Sequence, residues 1–520
     1  MGVMAETVPA AAPRSAFGQA WLAGLTGFIE RRPRTAFGGF LAVHFAVWTA
    51  LPALLYANLP LDLIEALTYG REWQIGYDKL PPLPWWLVEI MHRLVGADAA
   101  YYALAQAAVV IAFALVFATA RPMVGAVGAL VAVLIIDGMH YFQYTAVKFN
   151  HDVMQLPFWA LAGYAFHAAL KRGRLGHWCL LGIAFGGALW AKYFVVMLAA
   201  PYALFMFLDP RARRALATPG PWLALAVALL IAAPHVLWLF QTDFLPFSYV
   251  SHRAAPSHGW FDHLRHPAVF ALSQLFFALP SLFIAAALFW PRPQTTPLPL
   301  VGRENCAVDA FDRRIVSLIA FGPALATIAL TAVSGRGAVA MWGYPLWLFI
   351  GLWLVLVAPA ALEAERLTKI GAAWATVFGI FIVIFAANYS VLPYIDHRYR
   401  AVFFPGDRLG ETLTERFHAA TGAELRYVVG SMWDGGNLAH YSPDQPQVLI
   451  DGEPRRAPWI DLGDLRKKGA VVVWTQGDVS TLPAQFAAIA PDAEVGLPFD
   501  LPMRRGYGIV HVGWAILKPQ

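Results

Sequence analysis

Apolar runs near the length that crosses a bilayer recur through the first 390 positions of this 520-residue chain. They predict helical spans near 36–56, 99–119, 123–139, 153–170, 178–191, 193–209, 220–240, 267–290, 315–333, 338–358 and 369–390, eleven in all. From about residue 391 the pattern changes. Short β-rich runs such as Arg426-Tyr427-Val428-Val429 and Val471-Val472-Val473-Trp474, separated by Gly, Pro and Asp, predict a small α/β domain over 391–520. The expected fold class is a polytopic α-helical membrane protein of about eleven transmembrane helices with a small C-terminal α/β domain.

Polar residues interrupt this pattern in a few places, and charge beside a bilayer carries a solvation cost that usually marks a site. The loop 57–98 holds Asp62, Glu65, Arg71, Glu72, Asp78 and Lys79, then Leu80-Pro81-Pro82-Leu83-Pro84. Leu61, Ile64, Leu67 and Trp73 space a short interfacial helix, on which Asp62 and Glu65, three apart, share a face. A second group, Lys148-Phe149-Asn150-His151-Asp152, introduces the fourth span; Asp152 there fits a helix cap or first-turn acid as well as a site. Lys192-Tyr193 lies at a turn between two short spans, where a lysine also snorkels to the interface. The loop 241–266 carries His252, Arg253, His258, His263 and His266. Those histidines have no HExxH or zinc-finger spacing, so Arg253, able to grip a phosphate or sugar carboxylate, is the stronger candidate.

Composition fits the span pattern: 59% of residues are hydrophobic and 14% charged. The net charge of +5 does not call for a nucleic-acid partner, because cytoplasmic loops of membrane proteins collect Lys and Arg. Lys171, Arg172 and Arg174 follow the fourth span and Arg211, Arg213 and Arg214 the sixth; Arg121, Arg292, Arg303, Arg313, Arg314, Arg366 and Lys369 fall on the same side. This arrangement predicts a cytoplasmic tail over 1–35, and places loop 57–98, Lys192 and the C-terminal domain outside. The two cysteines, Cys179 and Cys306, suggest no disulfide framework. Ser431 to Asn437 forms a Gly-rich turn after a strand without a G-x-G-x-x-G or Walker spacing, so no nucleotide cradle is expected.

Taken in order, Leu61-Asp62-Leu63-Ile64-Glu65-Ala66, Tyr69-Gly70-Arg71-Glu72-Trp73 with Gly76-Tyr77, and Lys79-Leu80-Pro81-Pro82 resemble the first outer loop of bacterial GT-C glycosyltransferases. The group in question is related to protein O-mannosyltransferases and to the lipid A aminoarabinose and galacturonic acid transferases. Asn150-His151-Asp152 and Ala191-Lys192-Tyr193 are similar to that group's second-loop acid and its Lys-Tyr turn. The resemblance implies a GT-C transmembrane domain over 36–390. It also implies an inverting transfer of sugar from a polyprenyl-phosphate donor to an envelope glycolipid or glycan, at the periplasmic face of the inner membrane.

Under that resemblance a carboxylate must take the proton of the acceptor hydroxyl. Asp62 is the first choice, with Glu65 assisting or taking that role. Lys79, Lys192 and Arg253 would bind the donor phosphate, whose charge grows as the glycosidic bond breaks. Asp152, Asn150 and Tyr193 would orient the acceptor or a bound cation, which leaves a divalent metal as an open cofactor. Two departures stand out: Ile64 occupies the position before Glu65 where relatives carry an adjacent acid, and Leu80 replaces a histidine before the prolines. A protein O-glycosyltransferase of the same fold is the nearest alternative. A lipid or sugar transporter, the rival from another class, would place charges near the midplane and repeat one half in the other. A non-catalytic envelope assembly protein would use the acidic loop as an interaction surface.

Overall fold

The computed structural model describes residue 24 and residues 26–289, 308–358 and 362–520. Most of the expected tail, and the loop segment with Arg292, Arg303 and Cys306, lie outside them. The helices of the apolar part are α1 (Pro33–Leu55), α2 (Leu61–Gly70), α3 (Leu83–Leu94), α4 (Asp98–Asp137), α5 (His151–Arg172), α6 (Leu175–Ala191), α7 (Val196–Leu208) and α8 (Pro210–Ala215). They continue with α9 (Pro219–Gln241), α10 (Pro246–Arg253), α11 (Asp262–Ala286), α12 (Ala310–Ser334), α13 (Ile350–Val357) and α14 (Ala364–Ser390).

Each of the eleven expected spans overlaps a helical segment; the end of the 267–290 span, residue 290, lies outside the described residues. Among the described residues, six helices are long and apolar enough to cross a membrane alone. The pair Ala340–Trp347 and Ile350–Val357, bent by 53°, makes a seventh when counted as one broken span. The chain is a multi-pass membrane protein. Two expected spans, 99–119 and 123–139, belong to the single 40-residue α4, broken at Gly125 (φ 72°, ψ 175°). That left-handed backbone suits glycine, and it divides a helix that would otherwise rise about 60 Å, twice the hydrocarbon thickness.

Charge is also buried between the helices. His44 of α1 lies 2.9 Å from Asp137 at the end of α4, both fully buried. Trp374 Nε1 donates to the same carboxylate at 2.7 Å and Gln143 Nε2 at 3.1 Å. This cluster sits at the start of the loop between α4 and α5, which carries Lys148 and Asn150.

The C-terminal domain contains α15 (Gly406–Thr421), β1 (Tyr427–Gly430), α16 (Met432–Tyr441), β2 (Gln447–Ile450), α17 (Leu462–Lys468), β3 (Ala470–Trp474), α18 (Ala484–Ala487), β4 (Glu494–Val495), β5 (Phe499–Pro502) and β6 (Ile509–Leu517). The sheet order is β2-β1-β3-β6-β4, with β5 also on β6. Strand β1 runs parallel to β2 and β3, pairing Val429 with Leu449 and Val472, whereas β6 is antiparallel to β3. β1 and β3 are continuous apolar runs because both faces are covered. The segment read as a Gly-rich turn is a helix: Ser431 caps α16, accepting from the Asp434 N–H at 2.9 Å. Helix α16 lies directly on α2. A Cβ on Gly436 would stand 2.6 Å from Thr68 Oγ1 and 2.8 Å from Ile64 Cγ2, so the contact requires glycine.

Candidate active site

Helix α2 follows Pro60, whose extended backbone (φ −65°, ψ 158°) starts it, and Asp62 occupies the first turn that the helix dipole favours for an acid. Leu63, Ile64, Ala66 and Leu67 bury the opposite side, which leaves Asp62 and Glu65 facing away from the core. Each carboxylate has its own cation. Lys148 Nζ stands 3.1 Å from Asp62 Oδ2, and Lys79 Nζ 2.5 Å from Glu65 Oε1.

The two environments differ. Burial pushes the Asp62 carboxyl up, but the Lys148 charge and the Asn150 amide overcome it and hold the group below the ordinary carboxylate range. Burial also raises Glu65, and there Lys79 does not fully offset it, so Glu65 titrates above its usual value. The Asp62 charge in turn holds Lys148 protonated to higher pH than usual.

The start of α5 explains how Asn150 meets Asp62. Asn150 is the cap: its Oδ1 accepts from the Asp152 and Val153 N–H groups at 3.0 and 3.1 Å. Its Nδ2 therefore points outward and donates to Asp62 Oδ2 at 3.0 Å. Asp152, freed from capping, pairs with Lys192 Nζ at 2.5 Å and accepts from Gln155 at 3.1 Å. Lys192 is 8% exposed, so it is a paired, buried lysine and not one that snorkels. Tyr193 OH lies 2.9 Å from His235 Nε2, and His235 Nδ1 lies 2.8 Å from the Ile75 carbonyl oxygen, which ties the Lys-Tyr turn to the first loop. His151 Nε2 lies 3.0 Å from the Pro81 carbonyl oxygen and so fixes the Pro-Pro turn after Lys79.

These groups surround one cavity of about 650 Å³. Asp62, Glu65, Asn150, Asp152, Lys192, Tyr193 and Arg253 all line it; Lys79 does not, but its amine pairs with Glu65 and lies 5.7 Å from the ring of Tyr249, both of which do. Its remaining wall is mainly apolar, with Phe194, Met197, Phe247, Leu330, Met341 and Trp342. Sequence reasoning gave no role to Lys148, Tyr249, Trp342 or Arg336. Arg336 donates to the Ser251 and Ala254 carbonyls and joins the Arg253 segment to the loop after α12. The only linear signal was the position of Lys148 two residues before Asn150.

Among the described residues, no group of three or more His, Cys, Asp or Glu side chains is arranged to hold a metal ion. His263 and His266 instead lie 2.7 and 2.8 Å from the carbonyl oxygens of Ala332 and Gly335, and the His252 side chain is outside the described set.

Comparison with solved structures decides the architecture. ArnT from Cupriavidus metallidurans bound to undecaprenyl phosphate superimposes with a TM-score of 0.58 at 13% identity, covering 92% of this chain and 97% of that one. Its apo state gives 0.59 at 12% identity, covering 93% and 98%. The chain has the GT-C fold. The family described as dolichyl-phosphate-mannose-protein mannosyltransferase matches residues 79–238 of this GT-C protein, which include Lys79, Asn150, Asp152, Lys192 and Tyr193. The lipid A galacturonosyltransferase RgtD of Rhizobium johnstonii is 29% identical over 214 residues, 40% of this chain and 44% of that protein. The lipopolysaccharide core galacturonosyltransferase RgtB of the same organism is 24% identical over 214 residues, 40% and 43%. The chain thus matches less than half the length of these two curated relatives.

Proposed function

We propose that this protein is an inverting glycosyltransferase that moves a sugar from a polyprenyl-phosphate donor to an envelope glycolipid, on the periplasmic side of the inner membrane. The observation that carries this is a cavity lined at once by Asp62, Glu65, Asp152, Lys192 and Arg253 and by an apolar wall. The polar end suits a sugar and a phosphate, and the apolar wall suits a prenyl chain. The similarity to RgtD and RgtB favours a uronic acid as the sugar and lipid A or lipopolysaccharide core as the acceptor.

In the reaction the acceptor oxygen attacks the anomeric carbon from the face opposite the phosphate. The carbon–oxygen bond to the phosphate breaks, its electron pair leaves with the polyprenyl phosphate, and the acceptor proton passes to a carboxylate. Asp62 takes that proton. Asn150 fixes one of its oxygens and leaves the other to accept from a hydroxyl. A base of low affinity suffices, because the hydroxyl becomes strongly acidic as its bond to the anomeric carbon forms. Glu65 orients Lys79. Lys79, Lys192 and Arg253 stabilise the charge that grows on the leaving phosphate, in a setting drier than water. Asp152 and Tyr193 position Lys192 and the acceptor.

The opposite end of the helices supports this orientation. Lys171, Arg211 and Arg314 converge there on Asp309, Asp312 and Asp209, which gathers the basic loops on one side as cytoplasmic loops require. The cavity and the 391–520 domain then face the periplasm.

The test is transfer by the purified protein, supplied with a polyprenyl-phosphate-linked uronic acid and lipid A or core acceptors and read by mass spectrometry. A product heavier by one sugar residue, with inverted anomeric configuration, is expected. Transfer with retention, or none from any polyprenyl-phosphate sugar, overturns the proposal.

A further inference from the structure

Arg456 carries the C-terminal domain to the residue next to Lys79. Arg456 follows β2 and enters the first loop beside Lys79. Its Nε donates to Asp78 Oδ2 at 2.9 Å, and its guanidinium also binds the Asp451 carboxylate. Asp78 spends its other oxygen on Tyr69, whose hydroxyl donates to Oδ1 at 2.8 Å. Tyr69 is itself fixed: its ring stacks on Trp85 with centroids 4.4 Å apart, and its carbonyl accepts from Tyr77 at 2.7 Å. The Lys79 amine lies 6.0 Å from the Tyr69 ring centroid. Trp459, three residues after Arg456, sets its ring edge-on to Tyr69 and Tyr77 at 6.1 and 5.9 Å.

The arginine's second carboxylate partner, Asp451, is set by backbone. Asp451 sits where β2 ends, in the left-handed conformation (φ 55°) that Asp tolerates better than most side chains. Its N–H donates to the Gly430 carbonyl at the end of β1, at 2.7 Å. Arg456 is therefore held from the carboxyl ends of two parallel strands, the edge at which open α/β sheets place functional groups.

We propose that Arg456 is a positioning residue for Lys79, by which the C-terminal domain forms part of the active site and is more than a cap. The proposal rests on the transfer reading above. Its physical content is competition. Asp78 is adjacent in sequence to Lys79, and only the guanidinium and the Tyr69 hydroxyl keep both its oxygens engaged. Without Arg456, the Asp78 carboxylate takes Lys79 as its partner and draws the amine from Glu65 and the donor phosphate.

The test is a double-mutant cycle with Arg456→Met and Asp78→Asn, in full-length protein whose size-exclusion profile and melting temperature are unchanged. Arg456→Met alone is expected to raise the donor KM about tenfold or more and leave the acceptor KM within about twofold. Asp78→Asn in that background is expected to recover most of the loss, because the competing charge is gone, and Arg456→Lys to recover part of it. A domain that merely caps the fold gives additive losses and no rescue. If wild-type protein transfers sugar while Arg456→Met keeps its donor KM, or the double variant is no better than the single, the proposal is wrong. If wild-type protein transfers nothing, it is the transfer reading that fails.

Discussion

Helix α5 carries an ion-pair cluster at each end, and the two are built from the same residue types for different ends. At its first turn Asp152 meets Lys192; about 28 Å along, Lys171 and His167 meet Asp309 and Asp312. In the second cluster the acids serve the backbone as well. Asp309 and Asp312 form a capping box on α12, and Asp209 caps α8. At the cavity end an amide, Asn150, takes the capping role, and Asp62, Glu65 and Asp152 accept only from side chains. An acid used as a cap is architecture, whereas one relieved of capping beside a cavity is available for chemistry.

The largest test of that contrast is removal of charge at each end. Asp62→Asn is expected to lower kcat/KM for sugar transfer by about 10²–10⁴ without shifting the melting temperature. Asp312→Asn is expected to leave kcat/KM of the folded protein within about twofold. Loss of activity from Asp312→Asn equal to that from Asp62→Asn would erase the distinction.

Next come the cations. Lys192→Met is expected to cost about 10²-fold in kcat, since the growing phosphate charge loses a preorganised partner. Lys171→Met, at the other end of α5, leaves kcat unchanged. Single-turnover rates with saturating donor separate this from weaker binding.

A smaller effect distinguishes the two acids. A base works only when ionised, so kcat/KM falls as pH drops through its pKa in the free enzyme. Lys148 and Asn150 hold Asp62 below the usual carboxylate range, so the acid limb attributable to Asp62 lies below that range. Glu65 is raised above it. An acid limb above the ordinary glutamate value that disappears in Glu65→Gln would transfer the proton-accepting role to Glu65.

Much of the cavity was legible in sequence because its parts are local. Asp62 and Glu65 are three apart on one short helix, and Lys79 precedes a Pro-Pro turn whose stiffness is written in the residues themselves. The buried strands β1 and β3 were legible as apolar runs between Gly and Asp. What escaped depends on chain closure. Lys148 reaches Asp62 only because the loop after Asp137 folds back, and Arg456 lies 378 residues from Asp78. Gly435 and Gly436 suggested a turn, yet the Ser431 cap and the close approach to α2 make them helical. The break in α4 was expected between 119 and 123, and it falls a few residues later, at Gly125.

The smallest expected effect concerns stability alone. Asp312 is buried and accepts from His167 and Lys171 at 2.9 and 2.8 Å and from the Asp309 N–H at 3.1 Å. Asp312→Ala removes half of a capping box, strips His167 of its acceptor and leaves Lys171 with Asp309 alone, at a cost of about 1–3 kcal/mol. Asp62→Ala strips Asn150 and Lys148 instead, but Asn150 retains its cap bonds and Lys148 is open to water, so its cost is nearer about 1 kcal/mol or less. Thermal melts in detergent should therefore rank the two variants opposite to their activities: Asp312→Ala melts lower and transfers sugar, while Asp62→Ala melts near wild type and does not. If both quantities fall together in both variants, the acids at the cavity end are holding the fold, and the division between capping and catalysis does not exist.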